Sequence, residues 1–115
     1  HVVQPVEYVG DTLVIYSLGN MVSNQRYSQG LKGAIGGVAA FDIVKKVEDG
    51  KTTTKIENPK IDLVYTHDVN HKNYRVMPFS KLNNSMLSNY QSVYAQYKAY
   101  LNPKNDSRIQ VGFIN

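Results

Sequence analysis

The sequence predicts an α+β fold, a mainly antiparallel β-sheet with a C-terminal α-helix. Three observations predict it. Residues 1–79 are β-rich, and the turn signals Gly10-Asp11 and Glu48-Asp49-Gly50 separate their β-branched and aromatic segments. Over residues 84–101 the period changes, with Met86, Tyr90, Val93, Tyr94, Tyr97 and Leu101 recurring at helical steps. Asn102-Pro103 then halts that pattern, leaving 102–115 as a tail or final strand of one single domain.

Taken in order, Val2 to Tyr8 has strand composition, with Pro5 marking an edge or a bend. Thr12 to Leu18 reads as the return strand. Its apolar run Leu13-Val14-Ile15-Tyr16 suggests a central strand covered on both faces. Gly19-Asn20 ends it, since both residue types tolerate a positive φ in a sharp turn.

Ser23 to Gly37 reads as a long loop carrying Arg26, Tyr27 and Lys32. Its Gly33-Ala34-Ile35-Gly36-Gly37 run lacks the Lys-Ser/Thr of a phosphate-binding loop and leads into a strand. Close packing at the start of that strand accounts for it better. Val38 to Val47 forms the next strand, and Lys51 to Glu57 pairs back across the Asp49-Gly50 turn, mostly exposed. Pro59 is expected to break it, with Ile61 to Tyr65 resuming and Tyr74 to Met77 forming a short strand closed by Pro78. The helix is expected from Ser85 to Leu101, capped by Asn84 or Ser85. Its tyrosine stripe reads as core packing with hydroxyls reaching the rim.

Composition narrows the function classes. The 115 residues are 42% hydrophobic and 19% charged, a globular rather than a disordered balance. No apolar run approaches the length of a membrane span. The chain has no cysteine, which excludes disulfides and thiolate metal sites. The net charge of +4 is scattered, without an arginine-rich stripe of interleaved aromatics, so no nucleic-acid partner is expected. Beginning on His1 rather than methionine, the chain reads as a piece of a longer protein.

Two short patterns could carry chemistry. His67-Asp68-Val69-Asn70-His71 has the i, i+4 histidine spacing of a helical metal site, but Asp stands where the zinc-protease motif has Glu. The Asn-rich surroundings favour a loop, where that spacing loses its meaning. Ser17 has no evident histidine and acid partners, so nucleophilic catalysis has no support.

The opening is more specific. His1-Val2-Val3-Gln4-Pro5-Val6-Glu7 and Tyr16-Ser17-Leu18-Gly19-Asn20 closely resemble the bacterial capsule biosynthesis protein CapA family. These are poly-γ-glutamate synthesis proteins of the metallophosphatase-like superfamily. There a Gly-His-x-Pro-His motif leads into Val-x-Gln-Pro-x-Glu, a hairpin and Tyr-Ser-Leu-Gly-Asn. His1 matches the last histidine, Val3, Gln4, Pro5 and Glu7 the second motif, and Tyr16 to Asn20 the third. Met21 departs, standing where the family often has an aromatic. The match is specific over about the first 25 residues, looser through the hairpin at Asp49-Gly50, and only of pattern beyond Pro78.

The resemblance implies the trailing, C-terminal portion of a metallophosphatase-like α/β sandwich. It also implies a membrane-anchored protein on the extracellular face of the cell, taking part in polyglutamate capsule synthesis or export. Superfamily metal ligands lie in Asp-x-His, Gly-Asp-x-x-Asp and Gly-Asn-His-Asp/Glu motifs, none of which occurs in residues 1–115. His1 could offer one ligand to a divalent metal (Mn, Mg or Zn) in a full-length protein, or be a frayed terminal residue. No cofactor is expected in the piece itself. Gln4, Glu7 and Asn20 are the candidate substrate-binding or site-supporting residues. Glu7 could orient a ligand or make an ordinary cross-strand hydrogen bond, and Asn20 is best suited to satisfying turn backbone.

Three functions compete: a supporting domain in polyglutamate capsule assembly, part of a metal-dependent phosphoesterase or other hydrolase, and a non-catalytic binding module. In the last, Arg26, Lys32, Lys45 and Lys46 would hold polyglutamate or a partner subunit. The expected partners are the upstream part of the same chain and membrane capsule-synthase subunits. An apolar face left by that missing part would make a homo-oligomer a natural response.

Overall fold

The computed structural model describes residues 1–115. It is α+β, with mostly antiparallel strands and a C-terminal helix. β1 (Val6–Val9) and β2 (Thr12–Ile15) form a two-stranded ribbon. A single helical turn, α1 (Arg26–Gln29), and a 3-10 turn at Leu31–Gly33 precede the main sheet. That sheet comprises β3 (Ile35–Glu48), β4 (Lys51–Val69), β5 (Lys72–Pro78) and β6 (Gln110–Val111). α2 (Tyr90–Leu101) lies between β5 and β6 in sequence. The sheet order is β3-β4-β5, antiparallel throughout, and β6 adds parallel to β4 at Lys60 and Ile61.

β4 is the centre of the molecule because it carries the core. Ile61, Leu63 and Tyr65 are buried, as are Val3, Val6, Ile35, Phe79, Leu82, Leu101 and Ile109 around them. Each such side chain contributes about 1.5–3 kcal/mol by leaving water. The α2 stripe behaves as its period predicts: Leu101 is buried, and Tyr90, Val93, Tyr94 and Tyr97 pack half-buried against the same core. The Tyr94 ring stacks on Phe79 with centroids 4.9 Å apart.

Several expectations are corrected. The first ribbon is not a central pair. Tyr16 is 54% exposed, and Leu13, Val14 and Ile15 are only half-buried, because β2 pairs with β1 alone. Its pairing does extend towards the expected ends. Gln4 N–H donates to Ser17 at 3.0 Å, and Val3 bridges Leu18 beyond the gap at Pro5, which has no N–H. The C-terminal segment clamps this ribbon from outside: the Arg108 guanidinium sits 4.0 Å from the Tyr8 ring centroid, and Lys104 pairs with Glu7.

Pro59 does not break its strand. Pairing passes from Ala40–Lys60 to Asp42–Glu57, so Asn58 and Pro59 together face Phe41. Asn58 takes a φ of 51°. This bulge absorbs the missing N–H and lets β4 run on. The Ser23–Gly37 loop likewise contains α1 and the 3-10 turn, and its last three residues already belong to β3.

The regular helix starts at Tyr90 rather than Ser85, because Asn89 adopts a left-handed φ of 57°. The turn before it is capped by Asn83, whose Oδ1 accepts from Ser85 and Met86 N–H at 3.0 and 3.1 Å. Asn84 instead accepts from Asn89 N–H at 3.2 Å. The helix ends at Leu101 as expected.

Candidate functional site

One loop, residues 20–27, carries the main polar cluster, reaching His1 on one side and the β4–β5 turn on the other. Close packing places it. Gly19 bridges Gly36, and Gly37 N–H donates to Leu18 carbonyl. A Cβ on Gly36 would lie 2.1 Å from the Asn20 carbonyl oxygen, so only glycine lets the loop seat on β3.

Within the loop, Asn20 is the organiser. Its Nδ2 donates to Gln25 Oε1 at 2.6 Å, to Ser23 Oγ at 3.2 Å and to the Gly33 carbonyl at 3.4 Å. Gln25 then turns its amide nitrogen to His1 Nδ1, 2.8 Å away. This chain assigns the imidazole tautomer: Gly33 carbonyl can only accept, so Asn20 donates, Gln25 donates onward, and Nδ1 accepts. The proton of neutral His1 therefore sits on Nε2.

On the other side, Arg26 and Asp68 form an ion pair at 3.0 Å, with the Asp68 side chain 2% exposed and Arg26 29%. Arg26 also donates to Tyr65 hydroxyl at 3.0 Å and Tyr27 hydroxyl at 2.8 Å. Tyr27 donates in turn to Asp68 at 2.6 Å, and His71 N–H donates to the same carboxylate at 2.9 Å. The Tyr27 and His71 rings stack with centroids 3.6 Å apart. Asn24 Oδ1 accepts from Tyr74 hydroxyl at 2.6 Å and lies 2.8 Å from His71 Nδ1.

The electrostatics follow from these contacts. Burial pushes the Asp68 carboxyl up, but the Tyr27 hydroxyl, the His71 N–H and the charge of Arg26 outweigh it and hold it below the ordinary range. Burial opposes the Arg26 charge, and its bonds to Tyr65 and Tyr27 more than restore it. The cluster is thus a satisfied, charged lock, and the two charges neutralise each other.

The sequence-predicted residues divide. His1 and Asn20 are brought together through Gln25. Gln4 is exposed and uses its backbone N–H to pair with Ser17. Glu7 accepts from Tyr16 hydroxyl at 2.7 Å and pairs with Lys104, away from the cluster. Those two partners, Lys104 first, hold its carboxyl below the ordinary range. Of the proposed anion-holding set, Arg26 is engaged by Asp68, Lys32 lies on the 3-10 turn, and Lys45 and Lys46 lie on β3.

The His67–His71 pattern is a strand end and a turn, not a helix. Asn70 and His71 both have positive φ, 48° and 60°, the geometry of a tight hairpin turn. His67 stays in β4, where its Nδ1 has no hydrogen-bond partner; nothing nearby explains it. No three His, Asp or Glu side chains converge as a metal-ligand group. His1 also presents the wrong polarity, since metal-bound histidines usually donate from their second nitrogen. Residues 1–115 by themselves assemble no complete set of metal ligands.

Sequence reasoning missed Asn24, Tyr65 and Tyr74, and missed that Arg26 and Asp68 are partners. Fold and cluster together define an α+β protein with a loop-borne polar centre. No family model, curated protein or solved structure matches the chain.

Proposed function

We propose that this chain is the C-terminal portion of a CapA-like protein acting in poly-γ-glutamate capsule synthesis or export. The observation that carries the proposal is the hydrogen-bonded series His1–Gln25–Asn20. It joins the first and last of the motifs on which the resemblance rests, through a residue that lies just beyond them. On this reading the chain orients His1 at the margin of a site that a longer protein completes, facing the outside of the cell. Its own part is structural support: Asn20 fixes the loop, and Gln25 sets which nitrogen of His1 carries the proton.

The test is polymer yield in cells whose full-length protein carries Asn20→Ala or Gln25→Ala. Secreted polyglutamate should fall several-fold while the amount of protein at the cell surface stays unchanged. Undiminished polymer from both variants would overturn the proposal.

A further inference from the structure

The β3–β4 hairpin runs past the first ribbon, with which Ile43 and Ile56 share a cavity lined by Tyr8 and Leu13, and extends beyond it as a two-stranded arm, making the chain 60 Å long against 26 and 25 Å across. No strand pairs with the outer edge of β4 between Lys51 and Glu57; Ser107 and Arg108 flank it at Asn58 and Pro59, and β6 joins at Lys60 and Ile61. The arm also exposes large apolar side chains, with Ile43 at 68% and Val47 at 66%. An open edge beside an apolar face is a template for another strand.

We infer that the occupant is a second copy of the same chain, joined antiparallel along β4 with Thr54 opposite Thr54 of the other copy. Charge selects both the partner and the register. Residues 42–57 carry four lysines and four acids, so two arms approach without net repulsion although the whole chain is +4. A pairing centred on Thr54 places Lys51 opposite the other copy's Glu57, Thr52 opposite Ile56, and Thr53 opposite Lys55. A centre at Thr53 would set Lys51 against Lys55, and one at Lys55 would set two lysines face to face. Like charges directly opposite are destabilising, opposite ones favourable.

The same register organises the apolar side chains. Within one chain Ile43 lies opposite Ile56, and Val47 opposite Thr52. Joining two copies aligns Ile43, Ile56, Thr52 and Val47 in one row across four strands, and again symmetrically. Lys51 forms no ion pair within the chain, whereas Lys46 and Lys55 pair with Glu48 and Glu57 at 3.2 and 2.8 Å. Pairing gives Lys51 its acid, and the two-fold axis makes the contact twice.

Cysteine cross-linking tests this cleanly in a chain without cysteine. Directly opposed antiparallel residues lie about 4.5–5.5 Å apart at Cα, within disulfide reach. The full chain with Thr54→Cys should oxidise to a disulfide dimer at least about tenfold faster than Thr52→Cys, whose two copies would sit about 13 Å apart along the strands. Sedimentation of the unmodified chain should show a dimer forming by several hundred micromolar. Lys51→Glu should weaken that dimer about tenfold or more, and Lys51→Glu with Glu57→Lys should restore it. A chain that stays monomeric to millimolar concentration, or equal cross-linking rates for the two cysteines, overturns the inference.

Discussion

Tyr94 donates its hydroxyl to the buried carboxylate of Asp62 at 2.7 Å, fastening α2 to the central strand. The same carboxylate accepts from Phe113 and Ile114 N–H, each at 2.7 Å, and from its neighbour Leu63 at 2.8 Å. One aspartate therefore holds the helix and the C-terminal segment to β4 together. Tyr94→Phe should cost about 1.5–3 kcal/mol in urea unfolding, because a charge-assisted hydrogen bond is lost inside the protein. Asp62→Ala should cost more, taking the acceptor from all four donors. A Tyr94→Phe variant as stable as the parent would show that the fastening rests on the backbone bonds alone.

Acid should release this fastening and the Arg26–Asp68 lock. Burial pushes the Asp62 carboxyl up, but bonds from Ile114, Tyr94, Phe113 and Leu63 outweigh it and leave it low. Asp68 is low as well. A carboxyl depressed in the folded state stabilises above its unfolded value, about 3.9, and that contribution disappears as pH falls through the folded value. Stability should hold from neutral pH to about 5 and decline below about 4. Asp62→Asn should start less stable at pH 7 and show a shallower decline. Parallel pH profiles would remove Asp62 from the account.

Arg26→Ala should free the loop rather than unfold the protein. It would leave Asp68, 2% exposed, without its counter-ion, at a cost of about 2–4 kcal/mol given the partial exposure of the arginine. Amide exchange in residues 24–30 should quicken well beyond that in β4. Arg26→Lys should rescue little, since one ammonium cannot reproduce the forked contacts to Tyr65, Tyr27 and Asp68. Full rescue by lysine would mean that charge alone holds the loop.

These dependences explain what the sequence could disclose. Gly10-Asp11, Asp49-Gly50 and the Met86–Leu101 stripe are local signals, and the hairpins and helix they announce are present. Pro59 misleads because the bulge that accommodates it also needs Phe41, on the other strand. The helix start misleads because Asn89, a residue type that tolerates a left-handed turn, sits within the run of helical spacing that begins at Met86. Of the candidate site, His1 and Asn20 were legible through resemblance. The Arg26–Asp68 pair was not, since its members lie far apart in sequence and each suits another role when read alone.

Gly36 offers a sharp contrast with Gly10. An added methyl at Gly36 meets the Asn20 carbonyl oxygen at 2.1 Å, whereas at Gly10, with φ of 60°, it meets nothing within 4 Å. Gly36→Ala should therefore cost about 3 kcal/mol by overpacking against backbone and displace the loop. Gly10→Ala should cost about 1–2 kcal/mol from backbone strain alone. Chemical denaturation of the pair decides; equal losses would mean that the loop yields without resistance.

The His1 tautomer is the most exacting prediction, because it follows from one polarity carried through three side chains. Gly33 carbonyl accepts from Asn20, Asn20 donates to Gln25, and Gln25 donates to His1 Nδ1. Nitrogen-15 spectra at alkaline pH should show a bare Nδ1 and a protonated Nε2. Gln25→Glu removes the donor and offers His1 an acceptor, while still receiving the hydrogen bond of Asn20. The proton should then move to Nδ1, leaving the Nε2 lone pair free, the polarity that metal-bound histidines adopt. A protonated Nδ1 in the unmodified chain would break the series at Gln25. So would a Gln25→Glu spectrum identical to the parent's, since the glutamate cannot donate.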